Sequence, residues 1–591
     1  MRFPPDRFTL RLANPVDPAN PVILSPPSRV AAVVGRLLLS LALLFPLSCQ
    51  KDAVSTGPAW FEDISTRAGV QFTHNCGVQG QYFMPEVIGS GVALFDYDQD
   101  GRLDLYFIQN GGPQSGAKNR LYHQRADGSF EDVTGGSGLD VAGHGMGAAA
   151  ADATNDGLPE VLLTEYGAAR LFVNEKGSGK FRDVTRAAGI DNPAWGTSAA
   201  WVDYDRDGWL DLVIANYVLY SPTRVCSDQA GKRDYCGPQP FPGSVARLFR
   251  NRGVDRASGE PRFEDVTLRS GLGSSAGPGL GVVPLDFDGD RWTDLFVAND
   301  GKPNHLWVNQ RDGTFREEAI LRGLAYNGMG AAQANMGIAV GDVDGDGAFD
   351  LYITHLTEEL HAFYRQGPRG LFSDQTAAAG LANTRWRSTG FGALFADFDL
   401  DGNLDLVQAN GRVKFTTGPS TDPKDYWSVY RERNQLFGGD GRASFTDISP
   451  SSPALCGTPA VWRSLAAGDL DNDGAMDLVA TRVDGAARVL RNVAPRRGHW
   501  LSVRAVEPAL GARDAIGAEI IVSTPQKKRW AAIVPSQSYL ASCDPRAHFG
   551  LGDATAVDSI EVLWPDGSSE LFPGGVVDRL VVLRHGTGTK P

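Results

Sequence analysis

The chain has 591 residues, 70 acids against 56 bases and a formal charge of −14, with 70 glycines and six cysteines. Glycine stands well above the ~7% of ordinary usage, yet no G-X-Y period appears, so a collagen-like fibre is excluded. The acidic balance argues against nucleic acid, because phosphate backbones are held by clustered Lys and Arg.

In chain order, the first predicted element is a leader over residues 1–48. Arg29 and Arg36 precede an apolar run from Leu37 to Leu47 that ends in Ser48-Cys49. The run is too short to span a bilayer and reads as a secretory signal. Pro46-Leu47-Ser48-Cys49 resembles a lipoprotein cleavage site, with Cys49 as the acylated first residue, although Pro46 replaces the usual Leu; plain cleavage and release is the alternative. Either fate is extracytoplasmic, as a secreted protein or as a surface or periplasmic lipoprotein, with membrane contact only through Cys49.

A nine-residue unit D-x-D-x-D-G-x-x-D then recurs. Complete copies are Asp96, Asp98, Asp100, Asp104; Asp203, Asp205, Asp207, Asp211; Asp342, Asp344, Asp346, Asp350; Asp397, Asp399, Asp401, Asp405; and Asp469, Asp471, Asp473, Asp477. A sixth copy, Asp286, Asp288, Asp290, Asp294, has Arg291 in place of the glycine. The copy at Asp152 has Thr154 and Glu160 at ligand positions and reads as a relic turn. Oxygens at positions 1, 3, 5 and 9 with glycine at 6 follow the EF-hand ligand pattern, so the loops are expected to hold structural Ca²⁺, five to seven per chain. Twenty-seven acids sit at these positions, so the negative charge reads as an unfilled metal inventory.

Each loop is flanked by the same elements: a small-residue run before it such as Gly89 to Phe95, an apolar strand after it such as Leu105 to Ile108, a third strand such as Asn119 to Tyr122, and a fourth such as Phe130-Glu-Asp-Val-Thr134. Short β-branched and aromatic runs separated by Gly, Asn and Asp are strands with turns. Four strands repeated seven times predict an all-β fold: a seven-bladed β-propeller over residues 57–494. Because the fourth-strand element already occurs at Phe61-Glu-Asp-Ile-Ser65 and the last unit stops after Arg488 to Asn492, the N-terminal strand should close the last blade.

The loops stop near Pro495-Arg496-Arg497, and a small β-rich domain is predicted over 495–588. The repeats resemble the FG-GAP/VCBS repeats of integrin-α-like propellers. Tyr82-Phe-Met-Pro-Glu86 resembles the bacterial branch of the cartilage acidic protein family, and Arg513-Asp-Ala-Ile-Gly-Ala518, Asp544 to Gly552 and Ile560 to Gly567 resemble its ASPIC/UnbV domain. That resemblance implies calcium-binding extracellular propellers of poorly defined activity.

Both long insertions, 217–244 and 411–433, join second to third strands and are predicted to rise from one face. Cys226 and Cys236 inside the first are expected to form a disulfide in an oxidising compartment. Cys76 and Cys456, in equivalent blade-to-blade linkers, could form another that closes the ring. Polar residues end the second strands: Gln109, Glu165, Asn216, Asn299, His355, Asn410 and Arg482. They are either turn caps or a ligand ring around the channel, which His74 could join. No catalytic motif is found. The expected function is a calcium-stabilised binding or adhesion module that recognises protein or glycan through the insertion face; the alternative is a propeller enzyme acting on polysaccharide or a secondary metabolite from a channel-face site.

Overall fold

The recurring Phe-x-Asp-x-Thr/Ser segment fixes how six of the seven four-stranded units end; in the unit ending at Phe315–Glu317 the Glu317 carboxylate accepts both Leu306 N and Ala319 N. Where the fourth strand leaves the sheet, the aspartate caps the turn and the hydroxyl two residues later accepts a third-strand N–H. Thr134 N donates to Asp132 Oδ1 at 3.0 Å while Leu121 N donates to Thr134 Oγ1 at 2.9 Å. Thr185, Thr267, Thr376, Ser449 and Ser65 repeat the device.

A computed structural model describes residues 58–591, apart from 79, 229, 415–424 and 497. The leader, Cys49 and most of the second insertion's tip therefore lie outside the described residues. Seven four-stranded antiparallel meanders follow one another, and their innermost strands touch in sequence: Val92–Phe95, Gly145–Ala151, Gly196–Val202, Gly279–Leu285, Ile338–Gly341, Gly390–Ala396, Trp462–Gly468 and back to Val92–Phe95. This is the predicted propeller. The last sheet is completed by Phe61–Asp63, with Phe61 opposite Asn492 and Asp63 opposite Leu490.

Inner strands are rich in small residues because neighbours crowd at the axis. A Cβ at Gly392 would stand 2.7 Å from Leu465 N, and one at Gly281 2.8 Å from the Met336 carbonyl oxygen.

The C-terminal domain is two further sheets. His499–Glu507 lies between Ala547–Gly552 and the parallel strand Arg579–Arg584, while Glu519–Ser523 lies between Lys528–Ala532 and Ala556–Leu563. Its core runs without interruption into the propeller: Leu501, Val503, Ile520 and Val562 belong to the same apolar cluster as Ala149, Trp201 and Leu212. Beyond this packing, Ala541–Ser542 pairs parallel with Val92 and Ala93, adding a fifth strand to the first blade from inside the ring. Tyr539, just before it, is fully buried and donates from its hydroxyl to the Ile88 carbonyl at 3.0 Å.

No helix among the described residues is long and apolar enough to cross a membrane.

Candidate functional site

Six of the seven aspartate loops share one geometry, set by their own backbone. The position-1 carboxylate accepts the N–H groups of positions 5 and 6; in the first loop Asp100 N reaches Asp96 Oδ1 at 3.0 Å and Gly101 N reaches Oδ2 at 2.8 Å, whereas Asp286 accepts Gly289 N at 2.7 Å and Arg291 N at 2.8 Å. The position-9 aspartate opens the second strand and ties it to its neighbours, with Tyr97 N donating to Asp104 Oδ2 at 3.2 Å and Gln124 N to Oδ1 at 2.8 Å. Position 6 needs left-handed backbone, φ +85° at Gly101, and Arg291 adopts it at φ 72°. That strained conformation is the one expected for the copy lacking glycine.

These carboxylates cluster within ligand-bridging distance of one another, as in Asp96, Asp98, Asp104 and in Asp203, Asp205, Asp211. Burial pushes Asp96 up to about 6, Asp203 to about 7, and Asp104 to about 8, with neighbouring aspartates adding to the rise. Asp98 Oδ1 and Asp205 Oδ1 are buried without a hydrogen-bond partner, as is Glu160 Oε1 in the loop read as a relic. An all-oxygen donor set with orphaned, inward carboxylate oxygens fits a hard divalent cation.

The sequence reading missed the bases on the third strand, which follow its aromatic or apolar pair at a fixed register. Arg250 reaches Asp205 at 2.7 Å and Asp207 at 3.0 Å; Arg491 reaches Asp471 at 2.7 Å; Arg365 pairs with Asp344; His123 lies 3.1 Å from Asp104. In the sixth copy Arg311 and Arg322 hold Asp290 and Asp288 at 2.7 and 3.0 Å. The outer oxygens of many loop aspartates therefore face guanidinium groups, which share in balancing their charge. The signal was legible, since Phe249-Arg250, Tyr364-Arg365 and Leu490-Arg491 are the same position in three repeats.

The C-terminal domain covers this loop face. Arg504 donates to Gln99 at 3.1 Å, Arg513 to Asn155 at 3.0 Å and Arg546 to the Asp469 carbonyl at 2.8 Å, while His548 lies 2.8 Å from the Gly474 carbonyl. Leu510 lies over Gly208, Arg291 donates to the Gly567 carbonyl, Trp530 lies over Gly347 and Arg529 over Gly402. Every one of the seven loops thus has a residue of this domain against it.

The central channel is filled, which overturns the ligand-ring reading. Met84, Val87 and Ile88, on the short helix Pro85–Ile88 and its lead-in, close it from the insertion side, and Tyr539 and Leu540 enter from the loop side. Arg463 is wholly buried there and donates to the carbonyls of Val87 at 2.6 Å, Gly411 at 2.8 Å and Arg412 at 3.0 Å, with its guanidinium 4.0 Å over the Phe391 ring. The ring candidates cap connections instead. Asn216, Asn299 and Asn410 donate to the carbonyls of Val245, Pro303 and Arg433 at 3.0, 2.8 and 2.7 Å. His355 Nδ1 lies 2.8 Å from the Leu360 carbonyl and Arg482 Nε donates to Ala486 O at 3.0 Å. Gln109 holds the Thr73 carbonyl at 3.0 Å, and Glu165 pairs with Arg170 at 2.6 Å. His74 is buried, and burial pulls it down to about 4, so it is neutral.

The two insertions do rise from one face and meet over the closed channel. Tyr426 and Tyr235 share a 2.9 Å hydrogen bond, the Tyr430 hydroxyl donates to Asp234 at 2.8 Å, and Tyr235 lies 3.3 Å from Glu86, whose carboxyl burial lifts to about 7. Cys226 and Cys236 are disulfide-bonded with Cα atoms 5.2 Å apart. Cys76 and Cys456 are separate buried thiols, correcting the second bridge. Cys76 faces Glu86 and Asp484 near the axis, whereas Cys456 faces Ser449 and Asp447 beside the outer strands. Cys543 is a third free thiol among the described residues, also buried.

Residues 509–590 match the ASPIC and UnbV family, and residues 96–163, 152–214, 286–353 and 424–480 match the FG-GAP-like repeat. Cartilage acidic protein 1 of Mus musculus is 26% identical over 515 residues, covering 82% of this chain and 71% of the relative; the Homo sapiens protein is 25% identical over 517 residues, covering 82% and 70%. Among solved structures, an Agrocybe aegerita lectin specific for non-reducing terminal N-acetylglucosamine aligns with TM-score 0.36 and 12% identity over 67% of this chain and 86% of its own. An exotype rhamnogalacturonan lyase aligns with TM-score 0.36 and 13% identity over 69% and 72%. The chain thus carries FG-GAP-like repeats followed by an ASPIC and UnbV domain, and it is similar over most of its length to cartilage acidic protein 1.

Proposed function

We propose that this protein is an extracytoplasmic binding module, stabilised by calcium, that recognises protein or glycan through the propeller face carrying residues 217–244 and 411–433. The observation that carries the reading is the division of the two faces. The loop face lies under the C-terminal domain and the channel is packed, so the face with the insertions is left for a partner. A channel-centred catalytic site loses its support for the same reason. The leader and the Cys226–Cys236 bridge suit an oxidising, extracytoplasmic compartment.

Calcium would be held by the aspartates at positions 1, 3, 5 and 9 of the five complete loops, with the Asp286 and Asp152 copies as weaker candidates. The ion would neutralise carboxylates that burial leaves poorly solvated and would staple first strand to second. The third-strand arginines hold outer oxygens and orient the inner ones.

Masking tests the face assignment. Thr223, on the first insertion, and Asp558, on the C-terminal domain, are both exposed. Thr223→Cys and Asp558→Cys are each coupled to a polyethylene glycol maleimide, and binding to a glycan array and to cell surfaces is measured. Loss of binding in the Thr223→Cys conjugate alone is expected; loss in the Asp558→Cys conjugate alone would overturn the reading.

A further inference from the structure

Resting on the insertion-face reading, we propose that this face takes a neutral saccharide, seated in the groove between residues 238–243 of the first insertion and residues 300–305 of the next blade. The groove has a volume of 300 Å³. On its floor Asp300 accepts the Tyr217 hydroxyl through Oδ2 at 2.5 Å, which fixes the carboxylate and leaves Oδ1 for a ligand hydroxyl. Phe241, half-buried, supplies one wall, and Lys302 and His305 supply the other, with Ile320 66% exposed at the rim.

The groove is rigid. Leu219 N donates to the Pro242 carbonyl at 2.9 Å, Gly277 N to Ser244 O at 3.0 Å and Asp300 N to Pro278 O at 2.9 Å, while the Cys226–Cys236 bridge ends one residue before Gly237-Pro238. A preformed frame avoids the ordering cost that weakens binding by mobile loops.

Its charge selects the ligand class. Asp300 and Glu317 line the groove with Lys302, while Lys414 and Glu359 act on Asp300 with opposite signs, so the site keeps one net negative charge and disfavours anionic ligands. Acceptors and donors on a fixed frame beside an aromatic ring match a sugar, which offers hydroxyls around its edge and C–H groups on its face.

The test is isothermal titration of the full chain with cellobiose, chitobiose and mannobiose. At least one is expected to bind, with affinity lowered tenfold or more by Asp300→Asn, which keeps the Tyr217 hydrogen bond but turns a donor toward the groove. Phe241→Ala should weaken the same disaccharide to a similar degree. Absence of binding by all three, or binding unchanged in Asp300→Asn, overturns the proposal. If a disaccharide is blocked by polyethylene glycol on Thr223→Cys yet indifferent to Asp300→Asn, the insertion face stands and the groove falls. If neither change matters, both fall.

Discussion

Replacing Tyr539 by alanine tests whether the propeller and the C-terminal domain are one cooperative unit. The side chain is fully buried at the propeller axis, packs edge-on against Phe391 with ring centroids 4.9 Å apart, and satisfies the Ile88 carbonyl. Truncating a buried aromatic costs about 3–5 kcal/mol. Leaving the Ile88 carbonyl without its donor adds about 1–3 kcal/mol. The sum is a large share of the roughly 5–15 kcal/mol that holds an ordinary domain folded. Tyr539→Phe keeps the ring and removes only the donor to the Ile88 carbonyl, so it should lose about 1–3 kcal/mol. The assay is urea unfolding followed both by far-UV circular dichroism and by pulsed hydrogen–deuterium exchange, in which propeller peptides and C-terminal-domain peptides are read separately. Coincident transitions that shift together, far more in the alanine variant than in the phenylalanine variant, are expected. A loss below about 1 kcal/mol for Tyr539→Ala would refute the plug. So would a C-terminal transition that moves while the propeller's stays.

Two further outcomes follow from burial. Glu86 is lifted from 4.5 to about 7, chiefly by desolvation, so its contribution is fully present below the unfolded value and is lost as pH rises through about 7. The melting temperature should therefore fall between pH 5 and 8, and Glu86→Gln should flatten part of that fall; equal slopes in both proteins would contradict it. The Cys76 and Cys543 thiols are pushed up to about 12 by burial, and Cys456 is also raised. In the native protein all three should resist iodoacetamide, and in guanidinium without reductant they should label while Cys226 and Cys236 do not. A Cys76–Cys456 linked peptide would contradict the structure.

Much of the fold was legible because it is local and repeated. The aspartate loop, the small-residue inner strand and the Phe-x-Asp-Val-Thr exit each leave a fixed spacing, and the early copy at Phe61 revealed the closure of the ring. What escaped was through-space. Residues 538–542 carry no periodicity of their own, and their partner strand begins at Val92, so nothing along the chain announced the plug. Asn216, Asn299 and Asn410 looked like a ring because they recur, yet recurrence reflects a shared turn geometry that needs a side-chain cap. Cys76 and Cys456 hold equivalent sequence positions but lie in different surroundings, Cys456 alone belonging to the apolar core of the closing blade. The third-strand arginines could have been read, since their register is constant.

If calcium staples the aspartate loops beneath the C-terminal domain, its removal should loosen that face of the propeller and spare the opposite one. Hydrogen–deuterium exchange of the full chain, in calcium and again after chelation, reads this directly. Chelation should speed exchange in the aspartate loops and in the segments over them around Arg504, Arg513 and Arg546, leaving residues 217–244 unchanged. Loops indifferent to chelation, or insertions that respond as strongly as the loops, would contradict the account.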